Sequence, residues 1–351
     1  MRKILILFSN PIVMILVCCL FYGCSSRDTG DKGIHRYEKT LPLMGTFLTI
    51  QIMSTGDDGE KMNITLDKAF HIADRLEGRF SAFDTGSEVN ELNILKKNSI
   101  SPQLFTLLEL SKKISAITGG EFDITVAPIL KDYGFYEDMP EELFDMIPGG
   151  HHKGDWRNIR LSPDENAASL ENGIWVDLSG IAKGYIVEQL GQYLRSEGVE
   201  HFMINAGGDI LCGGKPHDGK WLIGIRDPGS NGVLLVLGLK NVSVATSGDY
   251  ENWAVDGMSG EEMAHIIDPS RSTPIKKEFS SISVISGDCS YADSLATGMM
   301  AMGPDKAIEL ADGLPDVDVI SISLINGDFD IKYSKNAERH IMPGGDIVVG
   351  R

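Results

Sequence analysis

The sequence contains little cysteine. Only five cysteines occur in 351 residues, and three of them, Cys18, Cys19 and Cys24, lie in or just after an apolar N-terminal run. The other two, Cys212 and Cys289, are far apart in the chain, which excludes a disulfide framework and a metal site built from thiolates. The sequence leaves open whether these two cysteines pair with each other.

Basic residues are also scarce relative to acidic ones. The chain has 32 lysines and arginines against 50 aspartates and glutamates, which gives a formal net charge of −18. That balance argues against a nucleic-acid partner and against loose binding to an anionic membrane surface, because both need a basic face. An anionic substrate would need a local device such as a metal ion or a helix N-terminus.

No fixed-period repeat, low-complexity tract or linker divides the chain after its N-terminal region. The composition, 42% hydrophobic and 23% charged, is typical of soluble globular proteins. The length is sufficient for a substantial core. One compact unit is therefore the simplest organisation.

The first residues have the pattern that is typical of an export signal. Arg2 and Lys3 precede an apolar run over 4–20, which ends in FYGCSSRDTGDKG. The Gly-Cys pair ending at Cys24 resembles a bacterial lipoprotein signal, in which the cysteine is lipidated and becomes the mature N-terminus. The predicted divisions are a signal peptide over 1–23, a tether over 24–36 and a domain over 37–351. We therefore expect an exported protein, lipid-anchored to a bacterial membrane on its periplasmic side; a plain membrane anchor is the alternative.

Helical and strand-like segments alternate along the rest of the chain. Apolar residues recur at helical spacing over Lys61–Phe80, and SPQLFTLLELSKKISAITGG has a helix start signal and a glycine stop. LMGTFLTIQIM is typical of a strand, and short strands dominate the second half in HFMINAGGDIL, WLIGIRD, VLLVLGLK and SISVISG. Helices over Tyr291–Met302 and around Ala307–Ala311 precede a hairpin at INGDF. The pattern predicts an α+β fold in which short-stranded sheets and helices are interleaved.

The stretch WVDLSGIAKGYIVEQL, Trp175–Leu190, begins like a strand and ends like a helix. Gly180 and Gly184 lie at the join on either side of Lys183. Two interpretations compete: a phosphate cradle that contains a lysine, or a tight strand-to-helix turn. The stretch lacks the Gly-Lys-Ser/Thr ending of a nucleotide-triphosphate loop, which argues against that class of site.

Two other glycine-containing stretches are candidates for ligand contact. INAGGDILCGG places Asp209 after a glycine pair at a strand end, where the backbone can approach a ligand closely. VATSGDYENW offers the Thr246 and Ser247 hydroxyls and backbone amides to an anion. A polar turn explains each stretch at least as well, so neither decides the function alone.

Two stretches of the second half contain titratable candidates. In AHIIDPSRSTP, His265 could act as a general base near neutral pH or be a structural histidine. In SYADSLATGMM, Asp293 and Thr297 are four residues apart and share a helix face, which suits a hard cation such as Mg²⁺. The alternative is that Asp293 stabilises the helix N-terminus and Thr297 packs internally.

The order of these stretches is more specific than any one of them. The chain resembles the ApbE family of flavin transferases in nine stretches that occur in the same order along the chain: MGTFLTI, FSAFDTGSEVNELN, TGGEFDITVAPIL, VDLSGIAKGYIVEQL, INAGGDI, WLIGIRDP, VATSGDYEN, HIIDPSRSTP and ADSLATGMMAMG. The resemblance spans about Tyr37 to Asn336. The chain reads Asp-Pro-Ser-Arg-Ser over 268–272, where the family usually has Asp-Pro-Arg-Thr-Gly.

The resemblance implies an enzyme with FAD as substrate and Mg²⁺ as cofactor. Members of the family cleave FAD and attach its FMN half through a phosphoester to a threonine or serine of a target protein, with release of AMP. The FAD contacts that carry over are Met44, Glu121, Phe122, Asp123, Asp177, Lys183, Thr246, Ser247 and His265. The Mg²⁺ ligands that carry over are the Gly180 carbonyl, Asp293 and Thr297. His265 is the candidate catalytic base.

Two other functions are compatible with the same residues. One is Mg²⁺-dependent hydrolysis of FAD to FMN and AMP, and the other is storage of FAD by a non-catalytic lipoprotein. For a transferase, the resemblance implies an acceptor that is a subunit of a membrane redox complex or an exported flavoprotein.

Overall fold

The computed structural model describes residues 33–343 except for 57, 150–153, 217–218, 231, 251, 257–258 and 279. The predicted signal peptide, the lipidation candidate Cys24 and most of the predicted tether lie outside the described residues. The first strand begins at His35, two residues before the predicted start of the domain. Within the described residues, no helix has the length and apolar content needed to cross a membrane.

The described residues form a mixture of helices and short strands. The helices are α1 (Gly59–Phe80), α2 (Glu88–Leu95), α3 (Pro102–Ile117), α4 (Ala127–Asp132), α5 (Glu141–Met146), α6 (Ala182–Ser196), α7 (Cys289–Met302) and α8 (Pro304–Gly313). The strands are β1 (His35–Leu43), β2 (Thr46–Ser54), β3 (Lys97–Ser99), β4 (Ile159–Ser162), β5 (Ala167–Leu170), β6 (Phe202–Ala206), β7 (Asp209–Gly213), β8 (Trp221–Arg226), β9 (Val233–Leu239), β10 (Val242–Gly248), β11 (Trp253–Val255), β12 (Glu262–Asp268), β13 (Thr273–Lys276), β14 (Ser280–Ser286), β15 (Val317–Ile325) and β16 (Asp328–Tyr333). The predicted α+β class is confirmed.

The main sheet has eight strands in the order β1-β2-β6-β7-β10-β14-β15-β16. Every neighbouring pair in it is antiparallel. Helices α1, α6 and α7 form the layer over one face, where they bury residues such as Leu66, Leu190 and Leu295 against the sheet. The β8–β9 hairpin covers part of the other face and packs Trp221 and Leu237 against it.

Two small sheets complete the described fold. One has the order β3-β5-β4, and the other has the order β11-β12-β13. Helix α4 contacts β12 and β13. An apolar cluster that includes Tyr136, Trp175 and Ile267 fills the space between α4 and the loops around it. This cluster supports the loops that carry several candidate site residues.

Two stretches that read as single strands are hairpins. LMGTFLTIQIM contains the end of β1, a turn at Met44-Gly45 and most of β2. HFMINAGGDIL contains β6, a turn at Gly207-Gly208 and the start of β7. All four turn residues have positive φ, which is the geometry of a two-residue hairpin turn.

The beginning of the stretch Trp175–Leu190 is not part of a sheet. The Asn93 side chain replaces a neighbouring strand there, because its Nδ2 donates to the Val176 carbonyl at 2.8 Å and its Oδ1 accepts from the Val176 amide at 2.7 Å. The Asp177 amide donates to the Ile124 carbonyl at 2.8 Å. Side-chain and loop contacts therefore hold the segment that leads into α6.

Cys212 and Cys289 are both buried and unpaired. Cys212 belongs to the apolar cluster under the β8–β9 hairpin, whereas Cys289 belongs to the main core on the other face of the sheet. Burial raises the pKa of the Cys212 thiol to about 12 and also raises the pKa of Cys289. The pairing that the sequence left open does not form.

Candidate active site

The candidate residues meet around two adjoining cavities. The first cavity, of about 240 Å³, lies between the N-terminus of α6, α7, β10, β12 and the loop after α3. The second, of about 390 Å³, lies between the β1–β2 turn, the end of α1 and the start of α6. Asp177, Ser179 and Lys183 line both cavities and mark the place where they join.

Eleven of the twelve predicted FAD and metal contacts line the first cavity, and they are Glu121, Phe122, Asp123, Asp177, Gly180, Lys183, Thr246, Ser247, His265, Asp293 and Thr297. The twelfth, Met44, lines the second cavity. Residues from widely separated parts of the sequence therefore come together at one place.

Close contact between α6 and α7 brings Asp293 to the N-terminus of α6. A Cβ atom at Gly184 would lie 2.5 Å from the Asp293 Cβ and 2.5 Å from the Cys289 carbonyl oxygen, so only glycine fits. The Gly184 amide donates to Asp293 Oδ2 at 2.8 Å. Asp288 caps α7 itself by accepting from the Tyr291 amide at 3.0 Å. Asp293 therefore does not cap its own helix; it lies in the cavity wall and satisfies a free amide of α6.

An oxygen cluster in the first cavity consists of oxygen-bearing groups of Gly180, Ser247, Asp293 and Thr297, which all line it. Thr297 Oγ1 lies 3.4 Å from Ser247 Oγ. A Cβ atom at Gly180 would lie 3.3 Å from Thr297 Cγ2 and 3.5 Å from Thr297 Oγ1, so a larger residue there would crowd Thr297. Carboxylate, hydroxyl and carbonyl oxygens are the donors that Mg²⁺ prefers, and Mg²⁺ usually takes its remaining ligands from water and substrate phosphates. This donor set fits the implied cofactor.

The charge balance at this cluster also fits a cation. Burial, and then the nearby Asp209 carboxylate, raise the pKa of Asp293 to about 7. Lys183 Nζ is 2.7 Å from Asp209 Oδ2, and Asp209 is almost fully buried. No group of three or more His, Cys, Asp or Glu side chains that could hold a metal occurs among the described residues. A metal would therefore bind through few protein atoms and would depend on the substrate for the rest.

His265 is oriented by a backbone carbonyl. Its Nδ1 lies 3.1 Å from the Asn252 oxygen. A carbonyl oxygen can only accept, so Nδ1 carries the proton and Nε2 has the free lone pair that a general base needs. Burial lowers the pKa of His265, and the Lys183 charge lowers it further, while the bond to Asn252 opposes the change. The neutral form is therefore favoured at neutral pH.

The acidic residues of the first cavity have different environments. Asp123 Oδ1 accepts from the Thr125 amide at 2.8 Å and hydroxyl at 2.7 Å, and its Oδ2 accepts from the Trp156 amide at 3.1 Å. Asp123 thus organises its own loop. Glu121 Oε2 is buried and has no hydrogen-bond partner among the described residues. Burial, and then Asp268, raise the pKa of Glu121. An unpaired buried acceptor fits a ligand that donates a hydrogen bond.

The second cavity is mainly apolar. Its lining includes Met44, Phe80, Phe83 and Ile186. The Met44 amide donates to Glu77 Oε1 at 2.9 Å, which ties the β1–β2 turn to α1. A cavity of this size with aromatic walls suits a flat ring system. Phe83 was not among the predicted contacts, although its aromatic ring beside a turn-rich acidic stretch was a usable signal.

Comparison with known proteins assigns the family. The sequence model described as the ApbE family matches residues 44–321. The chain belongs to the ApbE family. Proteins named FAD:protein FMN transferase from Vibrio cholerae and Haemophilus influenzae are each 29% identical to it. The first alignment covers 86% of this chain and 90% of that protein; the second covers 77% and 81%.

Solved structures agree with this assignment to the ApbE family. The flavin transferase ApbE from Vibrio cholerae has a TM-score of 0.72 at 26% identity and covers 88% of this chain and 99% of its own. The ApbE protein from Thermotoga maritima has a TM-score of 0.75 at 26% identity, with the same coverage of both chains. The family match over residues 44–321 includes all the residues that line the two cavities.

Proposed function

We propose that this ApbE-family protein is an FAD:protein FMN transferase. The observation that carries the proposal is the pair of cavities that join at Asp177, Ser179 and Lys183. One cavity is mainly apolar and suits the flavin ring, whereas the other, here called the polar cavity for its charged and hydroxyl side chains, suits the diphosphate and adenosine. The names of its relatives in Vibrio cholerae and Haemophilus influenzae support the same activity.

The polar cavity has the features that phosphoryl transfer needs. Asp293, Thr297 and the Gly180 carbonyl would hold Mg²⁺, which when bound neutralises diphosphate charge and stabilises the leaving group. Lys183 supplies a further positive charge at the join of the cavities. The amide groups at the start of α6 also favour anionic groups, because a helix N-terminus carries partial positive charge.

His265 is the base in this proposal. The acceptor hydroxyl attacks the FMN phosphorus, a new phosphorus–oxygen bond forms, and the bond to the AMP phosphate breaks. The hydroxyl proton moves to His265 Nε2, which the bond from Nδ1 to Asn252 leaves unprotonated. The products are the FMN-modified protein and AMP, and the proton then passes to solvent. A positioned base of this kind contributes about 10²–10⁴-fold to the rate.

The experiment that tests the function uses purified protein, FAD, Mg²⁺ and a candidate acceptor domain. The intact mass of the acceptor is measured, and AMP and FMN are quantified. A gain of one FMN that is lost with EDTA and in Asp293→Ala would support transfer. Release of free FMN and AMP without labelling would indicate hydrolysis. FAD that binds and never turns over would leave storage as the function.

We further propose that the protein is exported and anchored through lipid on Cys24. The basic and apolar leader and the cysteine that follows it support this location. The acceptor would then be a membrane redox-complex subunit or an exported flavoprotein. Metabolic labelling with a fatty-acid analogue tests the anchor: Cys24→Ser should remove the label, and persistent labelling would contradict it.

A further inference from the structure

Tyr136 lies directly behind the wall that the two cavities share. It belongs to the loop after α4 and is only 4% exposed. Its hydroxyl is hydrogen-bonded to Asp177 Oδ2. Its ring contacts Phe83 edge-on, with centroids 5.8 Å apart and planes at 84°. Tyr136 therefore touches one residue that lines both cavities and one that lines the second cavity, and it lines neither cavity itself.

We propose that Tyr136 is a positioning residue for FAD, which holds the Asp177 carboxylate through its hydroxyl and supports the Phe83 ring through its own ring. The proposal rests on the proposed function, since it concerns the same FAD site. It adds a residue that acts on FAD only through two others.

The direction of the hydrogen bond follows from the surroundings. Burial, and then the Asp177 charge, raise the pKa of Tyr136 well above its usual value. The phenol therefore keeps its proton and donates to the carboxylate. A hydrogen bond to a charged acceptor in a buried place is stronger than one between neutral groups.

The Asp177 carboxylate has little freedom while Tyr136 is present. Its Oδ1 accepts from the Ser179 amide at 2.8 Å, and its Oδ2 accepts from Tyr136. Its own amide is bound to the Ile124 carbonyl at 2.8 Å. Loss of the Tyr136 hydroxyl would leave Oδ2 without its donor, and the Ser179 amide alone would then oppose rotation of the side chain. Because Asp177 lines both cavities, such a rotation would disturb FAD where they join.

The contact between the Tyr136 and Phe83 rings supports the wall of the apolar cavity. Phe83 is 43% exposed, so its position depends on what lies behind it. Tyr136 packs against it from within a buried cluster that includes Leu130 and Met139. Edge-to-face aromatic pairs are favourable beyond their buried area, so this contact limits the movement of the Phe83 ring.

Two substitutions separate these contributions. Tyr136→Phe removes the hydroxyl and keeps the ring, whereas Tyr136→Leu removes both. Affinity for FAD is measured by flavin fluorescence on the full-length chain with EDTA present, so that no turnover occurs. We expect Tyr136→Phe to weaken FAD binding by about 10-fold, and Tyr136→Leu to weaken it further. The melting temperature of each variant is measured, and binding is compared well below it.

Tyr193→Phe is the matched control. The Tyr193 hydroxyl is also buried, but it has no hydrogen-bond partner among the residues that the structure describes. It does not line either cavity. Removal of this hydroxyl should leave FAD affinity unchanged. A loss in Tyr193→Phe equal to that in Tyr136→Phe would show a general effect of removing a buried hydroxyl and would overturn the proposal.

A double-mutant cycle tests whether Tyr136 acts through Asp177. If it does, Tyr136→Phe should have much less effect on FAD affinity in an Asp177→Ala background, which has no acceptor for the hydroxyl, than in the wild type. Equal losses in the two backgrounds would overturn the proposal. So would wild-type affinity in Tyr136→Phe. Failure of the wild-type protein to bind FAD at all would instead contradict the proposed function.

Discussion

The role proposed for His265 depends on which ring nitrogen carries the proton. The Asn252 carbonyl assigns the proton to Nδ1, and no sequence pattern could have identified this partner, because Asn252 becomes a neighbour only when β11 and β12 pair. The identity of the candidate residues was predictable from the ordered stretches. Their hydrogen-bond partners were not, since they depend on how distant loops pack.

Removal of the His265 imidazole should lower the rate of FMN transfer without lowering the affinity for FAD. His265→Ala should lower kcat by about 10²–10⁴-fold, the usual contribution of a general base. FAD affinity should change little, because many other residues line the cavities. Stopped assays for AMP and FMN transfer give kcat, and flavin fluorescence gives affinity. Full activity in the variant would exclude His265 from the mechanism.

The pH dependence should show a histidine with a lowered pKa. The neutral imidazole is the active form, so activity measured with saturating Mg²⁺ should stay constant as pH falls from 8 to about 6.5, the ordinary histidine value. It should fall only below that value, because burial lowers the pKa of His265. An inflection above 6.5 would contradict this expectation. The residual activity of His265→Ala should lack the same inflection.

Ser272 has a backbone conformation that favours glycine. Its φ is +55° in the loop between β12 and β13, at the position where the ApbE family usually has glycine. Glycine would relieve the steric strain of the folded chain, but it would also give the unfolded chain more conformational freedom. The net effect of Ser272→Gly should be a stabilisation of about 0.5–1 kcal/mol. Urea unfolding measures the change. Unaltered or reduced stability would contradict the proposed strain.

At the level of elements, the crossing of α6 and α7 controls the geometry of the site. Gly184→Ala would place a methyl group against Asp293 and the Cys289 carbonyl. The helices would have to separate, at a cost of about 1–3 kcal/mol. The bond from the Gly184 amide to Asp293 would lengthen, so Mg²⁺ affinity should fall as well. Thermal unfolding and metal titration measure the two effects.

Gly313→Ala is the control for this substitution. Gly313 also lies in a helix, but a Cβ atom there would have nothing within 4 Å. Alanine should stabilise α8 by up to about 1 kcal/mol, because it restricts the unfolded chain. Equal effects of the two substitutions would mean that helix propensity, rather than the crossing, determines the result.

The elements themselves were partly predictable. Helices α1, α3 and α7 follow from apolar spacing and start signals, and the Asn-Gly pair located the β15–β16 turn. The hairpins at Met44-Gly45 and Gly207-Gly208 were read as single strands, since apolar residues continue on both sides of each turn. Methionine rarely adopts positive φ, so the first turn gave little signal. The Gly-Gly pair was a signal that could have been used.

At the level of the whole molecule, the candidate site depends on elements that are distant in sequence. Residues from Met44 to Thr297 contribute to it, and they come from the main sheet, a small sheet, four helices and several loops. The ordered motifs predicted this set, but its arrangement as two joined cavities depends on the complete fold. In the proposed function, the acidic chain binds anionic groups through this local arrangement and not through its overall charge.

Such a site should couple ligand binding to global stability. FAD with Mg²⁺ should raise the melting temperature, because a ligand that binds only the folded state adds about 2.7 kcal/mol at 100 times its Kd. The gain should shrink when EDTA replaces Mg²⁺, and it should shrink equally in Asp293→Ala with Mg²⁺ present. Differential scanning fluorimetry with all four combinations measures this. Equal gains with and without metal in the wild type would mean that FAD binds without the oxygen cluster, and Asp293 would then lose its proposed role.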